Sequence, residues 1–324
     1  MKNYKILKMC FLCTALCVGA TELAAQQTPI FTVYRDQWSL LNPAALSGHY
    51  VLNNRTMTLS ATWREQWWNV PESPRTQWLN WEWVQEKFNS VWGLALLNDR
   101  TGKIGQTGVY GRYAYRMEMG RRTTHTLTIG LHAGLVQYRA KVSEIEFPNP
   151  ADVALSNVTT LRPDIGMGAF YQHSDKYYVG ISVPQTFGFF TPFRQENFEI
   201  GIRRVPHAYL VLGGYLDTPW LGNTTSFAEP SLWLKYAPGG GLNADANVRL
   251  QVSELVWAGT GLNVSMGQAP GMTLHAEAGV LLGEQVRIAD GQLKIGFGFD
   301  VGLTHGAGRS LGNSAELNVS YAWK

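Results

Sequence analysis

Beyond its first 25 residues the 324-residue sequence has no cysteine: Cys10, Cys13 and Cys17 all fall within that opening stretch. The stretch has a basic start (Lys2, Lys5, Lys8), an apolar run from Met9 to Ala20, and small residues at Ala24 and Ala25. This is the pattern of a secretory signal peptide cut near Ala25. A mature chain beginning at Gln26 would hold no thiol, no disulfide and no cysteine-ligated metal. An exported chain of this size without disulfides needs an extensive core, a closed sheet or a membrane to stabilise it. Charge is scarce as well, at 16% of residues. Loss of Lys2, Lys5, Lys8 and Glu22 with the leader takes the formal charge from +3 to +1, which is no nucleic-acid footprint. No later segment offers the roughly 18 consecutive apolar residues of a membrane helix. A membrane is therefore open to this chain only as a closed barrel, because a sheet edge in lipid leaves backbone groups unpaired.

Signatures of catalysis are missing too. The stretch Gly93–Lys103 ends like a phosphate loop, but Leu97 stands where the first glycine is required and no Ser or Thr follows Lys103. There is no HExxH and no GxSxG, and the seven histidines are scattered. His132, His173, Ser174 and Asp175 could suggest a hydrolase. Adjacent residues on a turn are more simply turn formers, and a serine needs an oriented base. No catalytic residue, cofactor or metal is expected.

What the chain does have is alternation. In Leu293–Leu303, Leu293, Ile295, Phe297, Phe299, Val301 and Leu303 share one parity, with Lys294 and Asp300 on the other. Leu242, Ala244, Ala246, Val248 and Leu250 likewise alternate with Asn243, Asp245, Asn247, Arg249 and Gln251. Period two means strands with one apolar and one polar face. Fourteen such segments can be read, from Arg55–Arg64 to Gly312–Trp323, most near the length that crosses hydrocarbon as a tilted strand. A soluble sandwich would also alternate. The export signal, the low charge, the 34 glycines and the 12 tryptophans together favour an all-β transmembrane outer-membrane β-barrel of 14 antiparallel strands. The expected division is a leader over 1–25, a periplasmic or lumen-plugging segment over 26–54, and the barrel over 55–324. In such a barrel the apolar parity faces lipid and the polar parity faces the lumen.

Trp63, Trp67, Trp68, Trp78, Trp81, Trp83 and Trp92 crowd one region. Indole suits the headgroup level, with core packing or carbohydrate stacking as alternatives. Two irregular stretches, Ala140–Leu161 and Pro184–Pro206, exceed hairpin length. The second holds Phe187, Phe189, Phe190, Phe193 and Phe198, which could seal the lumen or form an exposed partner-binding surface. Phe187, Phe189, Phe190 and Phe193 are the candidate partner-binding residues.

Several motifs in order resemble the PorP/SprF family of type IX secretion system outer-membrane proteins of Bacteroidota. They are Leu41-Asn42-Pro43-Ala44, Trp63-Arg64-Glu65-Gln66-Trp67, Pro74-Arg75-Thr76, Tyr113-Ala114-Tyr115-Arg116, the run Pro163–Phe187, and Ala315–Trp323. The chain departs from the family pattern at Ala45 and Leu46, where an aromatic is usual, and at Lys324 after the closing tryptophan. The resemblance implies a non-enzymatic component of the secretion or gliding machinery. Its partners would be outer-membrane lipid and either secreted cargo displayed at the cell surface or periplasmic secretion subunits. The competing reading is a passive outer-membrane diffusion channel.

Overall fold

The computed structural model describes residues 30–120, 124–141, 157–174, 176–186, 189–195, 198–222, 225–266, 270–283, 288, 290–304 and 312–324. The leader of the sequence reading lies outside them. The strands of the first half are β1 (Met57–Glu65), β2 (Arg75–Gln85), β3 (Ser90–Thr101), β4 (Ile104–Met119), β5 (His125–Ala140), β6 (Val158–His173) and β7 (Tyr177–Val183). A hairpin of β8 (Phe189–Gln195) and β9 (Phe198–Arg204) follows. The second half holds β10 (Ala208–Gly214), β11 (Leu216–Asp217), β12 (Phe227–Ala237) and β13 (Gly241–Gln251). It ends with β14 (Val256–Ser265), β15 (Gly271–Leu282), β16 (Gly291–Gly302) and β17 (Ser314–Trp323).

Each strand pairs antiparallel with its neighbours, and β17 returns to β1 from Met57↔Trp323 to Glu65↔Ala315. Tyr215 separates β10 from β11, and both pair with β12, so the two act as one wall strand. With β8 and β9 forming their own small sheet, the wall is a closed barrel of 14 antiparallel strands. Closure leaves no open seam in the ring for lipid, which cannot hydrogen-bond, to satisfy.

The alternation sets inside and outside as the polar-lumen reading requires. On β16, Phe297 is 50% exposed on the outer wall, while Lys294 and Asp300 turn inward onto residues of the N-terminal segment. On β13, Asp245, Asn247 and Arg249 are buried in the interior, and Val248 faces out. The tryptophans divide by parity. Trp63 and Trp92 project from the outer wall, whereas Trp78 is buried inside against Tyr110, with ring centroids 6.2 Å apart. Trp78 is thus no part of a lipid girdle, because it shares its parity with Asn80 and Glu82 on β2.

The two longest connections, 141–157 and 184–207, emerge at the same end of the barrel as the tight turn Gly102–Lys103. Gly102 has φ +58°, which a two-residue hairpin of this hand requires. Long loops mark the cell-surface end of such barrels. The strand ends Met57 and Trp323 lie at the opposite, periplasmic end. Toward that end Trp83, Trp92 and Tyr113 stand side by side in register, with the Trp92 and Tyr113 rings 4.9 Å apart, and amphipathic rings of this kind suit the headgroup level.

Phe297 sits mid-strand on the lipid side. Phe297→Arg is expected to cost about 2–4 kcal/mol of folding free energy in bilayers, measured by reversible denaturant titration in lipid vesicles.

Candidate functional site

The N-terminal segment from Ile30 to Asn54 occupies the lumen. Its short turns and helices (Tyr34–Asp36, Trp38–Leu41 and Gly48–Asn53) are too brief to be stable alone. They are held by the wall. The segment runs lengthwise: Thr32 bonds wall residues near the surface end, and His49 bonds residues near the periplasmic end.

At the surface end, Thr32 donates its backbone N–H to Glu316 Oε2 at 2.6 Å and its hydroxyl to Asp300 Oδ1 at 2.8 Å. Arg64 closes this group, reaching Thr32 Oγ1 at 2.5 Å and Asp300 Oδ2 at 2.6 Å. In the middle, Asp36 Oδ1 accepts from Lys294 Nζ at 2.6 Å and from Arg249 Nη1 at 3.1 Å. Arg249 also forks onto Glu277 at 3.0 and 3.1 Å, and Arg35 pairs with the same carboxylate. Trp257 backs both wall cations, with Arg249 4.2 Å and Lys294 4.8 Å from its ring centroid. Burial alone would raise the Asp36 pKa. Arg249 and Lys294 outweigh it and hold the carboxyl well below the usual carboxylate range. Burial pushes the Tyr34 phenol up to about 12, so it stays neutral beside Ser231, 2.6 Å away.

The Leu41-Asn42-Pro43-Ala44 motif has a physical role here. Asn42 Nδ2 donates to the carbonyls of Ala169 and Ile181, both at 3.1 Å, while its Oδ1 accepts the Ala44 N–H at 2.9 Å. One side chain therefore spans two wall strands and shapes its own turn. Gly130 faces the Pro43 backbone, and any side chain at 130 would collide with it. Further down, Arg112 bridges the Ala45 carbonyl at 2.9 Å and Glu82 at 2.5 Å, and Glu82 accepts the Ser47 N–H at 3.0 Å. His49 lies between Gln292 at 3.0 Å and Ser320 at 2.8 Å. Burial, then Lys294, lowers its pKa and favours the neutral ring.

Aromatic packing fills the rest. Tyr34 and Trp38 stack among Phe170, Tyr178, Tyr209 and Trp233. Phe31 and Leu40 join Trp78, Tyr110, Val136 and Tyr138. Among the described residues a crevice of about 70 Å³ stays open beside Asp36, Ser47, His49 and Lys294, and a smaller one of about 20 Å³ lies beside Leu40, Trp78 and Tyr110. Among the described residues, no group of three or more His, Asp or Glu could hold a metal ion.

Of the residues singled out as partner-binding, Phe187 lies outside the described residues. Phe189, Phe190 and Phe193 fall on β8, whose backbone pairs with β9 from Phe189↔Arg204 to Gln195↔Phe198. The hairpin emerges from the surface end, apart from the wall. Sequence reasoning missed the individual lumen contacts. Asp36 and Arg35 precede the first strand without any repeat to mark them, and only the Asn42-Pro43-Ala44 motif carried a signal.

Such geometry defines a plugged outer-membrane β-barrel. The chain matches the family described as Type IX secretion system membrane protein PorP/SprF over residues 23–321, and it belongs to that family. It is a non-enzymatic protein of the outer membrane. No curated protein matches it. Among solved structures it is similar to the CymD monoaromatic hydrocarbon channel, at 10% identity and TM-score 0.52, covering 91% of this chain and 94% of that one. A Pseudomonas aeruginosa FadL homologue is similar at 9% identity and TM-score 0.52, covering 88% and 93%. These likenesses concern the barrel fold alone.

Asp36→Asn leaves Arg249 and Lys294 facing no carboxylate from the plug, a loss of about 3–5 kcal/mol for a broken buried pair. The expected outcome is a lower unfolding midpoint and a raised single-channel conductance in planar bilayers. Gly130→Val should raise conductance without changing any charge. Because the folded pKa of Asp36 is depressed, its stabilisation is complete above the unfolded value of about 4 and is lost only as pH falls toward the folded value. Wild-type conductance should stay low through mild acid and rise only in strong acid.

Proposed function

We propose that this protein is a docking barrel of the type IX secretion and gliding machinery, holding secreted cargo or a periplasmic secretion subunit at the outer membrane. The observation that carries this reading is the filled lumen: Thr32, Arg35, Asp36, Asn42 and His49 each bond the wall from inside. A passive diffusion channel needs an open polar path, and a barrel of this strand number is too narrow for folded cargo even when empty. Binding at the rim then remains for a protein that works with exported chains.

The rim feature favoured as the contact is the β8–β9 hairpin with Phe189, Phe190 and Phe193, together with Phe187, which precedes it in the sequence. Within the described residues its two strands pair only with each other. Their outer edges offer backbone donors and acceptors to an added strand, and phenylalanines are suited to anchoring a partner by apolar contact.

The test is a mild-detergent pull-down from the native outer membrane. Wild type is compared with a variant carrying Phe187, Phe189, Phe190 and Phe193 as serine. The wild-type barrel is expected to recover a protein bearing a type IX sorting domain or a periplasmic secretion subunit. Recovery should drop roughly tenfold in the variant at unchanged barrel yield. Strong ion conduction with no specific protein recovered would instead support the diffusion channel.

A further inference from the structure

The outer wall of β17 and β1–β4 carries a recess of about 510 Å³, within the size range of small-ligand sites. Its apolar lining includes Ala61, Trp63, Leu79, Leu96, Val109 and Leu317, all on the lipid-facing parity. The hollow exists because Ala61 is small where its register partners, Leu79 on one side and Val319 on the other, are larger. Directly toward the surface end lies a row of different chemistry. Gln77, Asn98 and Thr107 stand opposite one another on β2, β3 and β4, exposed on the outer wall. They bond in sequence, Asn98 Nδ2 to Gln77 Oε1 at 3.0 Å and Thr107 Oγ1 to Asn98 Oδ1 at 3.1 Å.

One further step outward, the row reads Glu65, Arg75, Arg100, Gly105 and Arg139 across β1 to β5. Like charges directly opposite across a ladder repel, and Arg75 is register partner to Arg100. Glu65 relieves only Arg75, at 2.8 Å. Arg100 donates Nε to the Gly102 carbonyl, and Arg139 forks onto Gln137 Oε1. Among the described residues, neither Arg100 nor Arg139 has a carboxylate. Two strand spacings, about 10 Å, separate their backbones. Gly105 lies between them, where an added Cβ would meet only the Asp99 carbonyl oxygen at 3.5 Å. Two guanidiniums without a carboxylate among the described residues thus stand on either side of Gly105 toward the surface end of the outer wall, beyond a polar row and an apolar recess.

The geometry points to a binding site for a phosphorylated, acylated lipid of the outer leaflet, of the lipid A class. Its phosphate sits over Gly105 between Arg100 and Arg139, where charge-assisted forked bonds form. Its sugar lies against Gln77, Asn98 and Thr107, and an acyl chain occupies the recess at Ala61.

Capture of labelled lipid A by the full-length barrel in mild detergent tests the site. Dephosphorylated lipid A serves as the second ligand and inorganic phosphate as competitor. The wild-type barrel is expected to retain lipid A roughly tenfold better than its dephosphorylated form. The double variant Arg100→Gln with Arg139→Gln should lose a similar factor, and Ala61→Phe, which fills the recess, should weaken both ligands. Heat-modifiable migration on gels reports that each variant remains a folded barrel. Equal retention of the two lipids by wild type would overturn the proposal without recourse to any variant. Wild-type-like capture by a folded double variant would also overturn it, and so would displacement of lipid A by an equal concentration of inorganic phosphate.

Discussion

Closure of the sheet is the constraint on which everything else in this molecule rests. Hydrocarbon offers no hydrogen bonds, so every N–H and C=O of the wall must find a neighbouring strand. The β1–β17 seam meets this requirement along the whole of β1, from Met57↔Trp323 to Glu65↔Ala315. Once the ring is closed, strict alternation sends every second side chain into a confined space. In this sequence many of those side chains are charged: Arg64, Glu82, Arg112, Arg249, Glu277, Lys294, Asp300 and Glu316 all point inward, beside aromatics such as Trp78 and Trp233. An interior so rich in charge cannot collapse on itself as an apolar core does. It has to be wetted or matched.

Matching is what the N-terminal segment supplies. Asp36 meets two wall cations, Arg35 meets Glu277, and Thr32 meets two wall carboxylates. Buried ion pairs of this kind contribute little net stability, since desolvation offsets most of the attraction, whereas leaving one partner alone is costly. Their effect is to define one position of the segment along the barrel. The aromatic cluster around Trp38 supplies burial energy, and Asn42 fixes the chain against β6 and β7. Glycine at 130 lets the Pro43 backbone approach the wall closely, a contact that no side chain would permit.

The outer wall also changes chemistry along its strands. On β2 to β4 aromatics at Trp83, Trp92 and Tyr113 come first, apolar residues follow, and polar and arginine rows come last toward the surface end. A filled interior is compatible with the proposed docking of a partner at the rim. That agrees with the protein's membership of a type IX secretion family.

Much of this was legible in the one-dimensional pattern. Period two in Leu293–Leu303 and Leu242–Gln251 fixes which residues face lipid, because side-chain direction in a strand follows from parity alone. The same rule places Trp78 inside, where its crowding with other tryptophans had suggested a girdle. The number of wall strands and the non-helical route through the membrane also follow from local pattern, since each strand carries its own signal. Where residues 26–54 would lie was open between the periplasm and the lumen, for a physical reason. Residues such as Thr32, Asp36 and Asn42 have no periodicity, and their partners lie more than a hundred positions away, at Asp300, Lys294 and Ala169. The same holds for Arg75, Arg100 and Arg139, which share a row only because the register of β2, β3, β4 and β5 aligns them. Parity is a property of each strand, but pairing across the barrel exists only once the ring has closed.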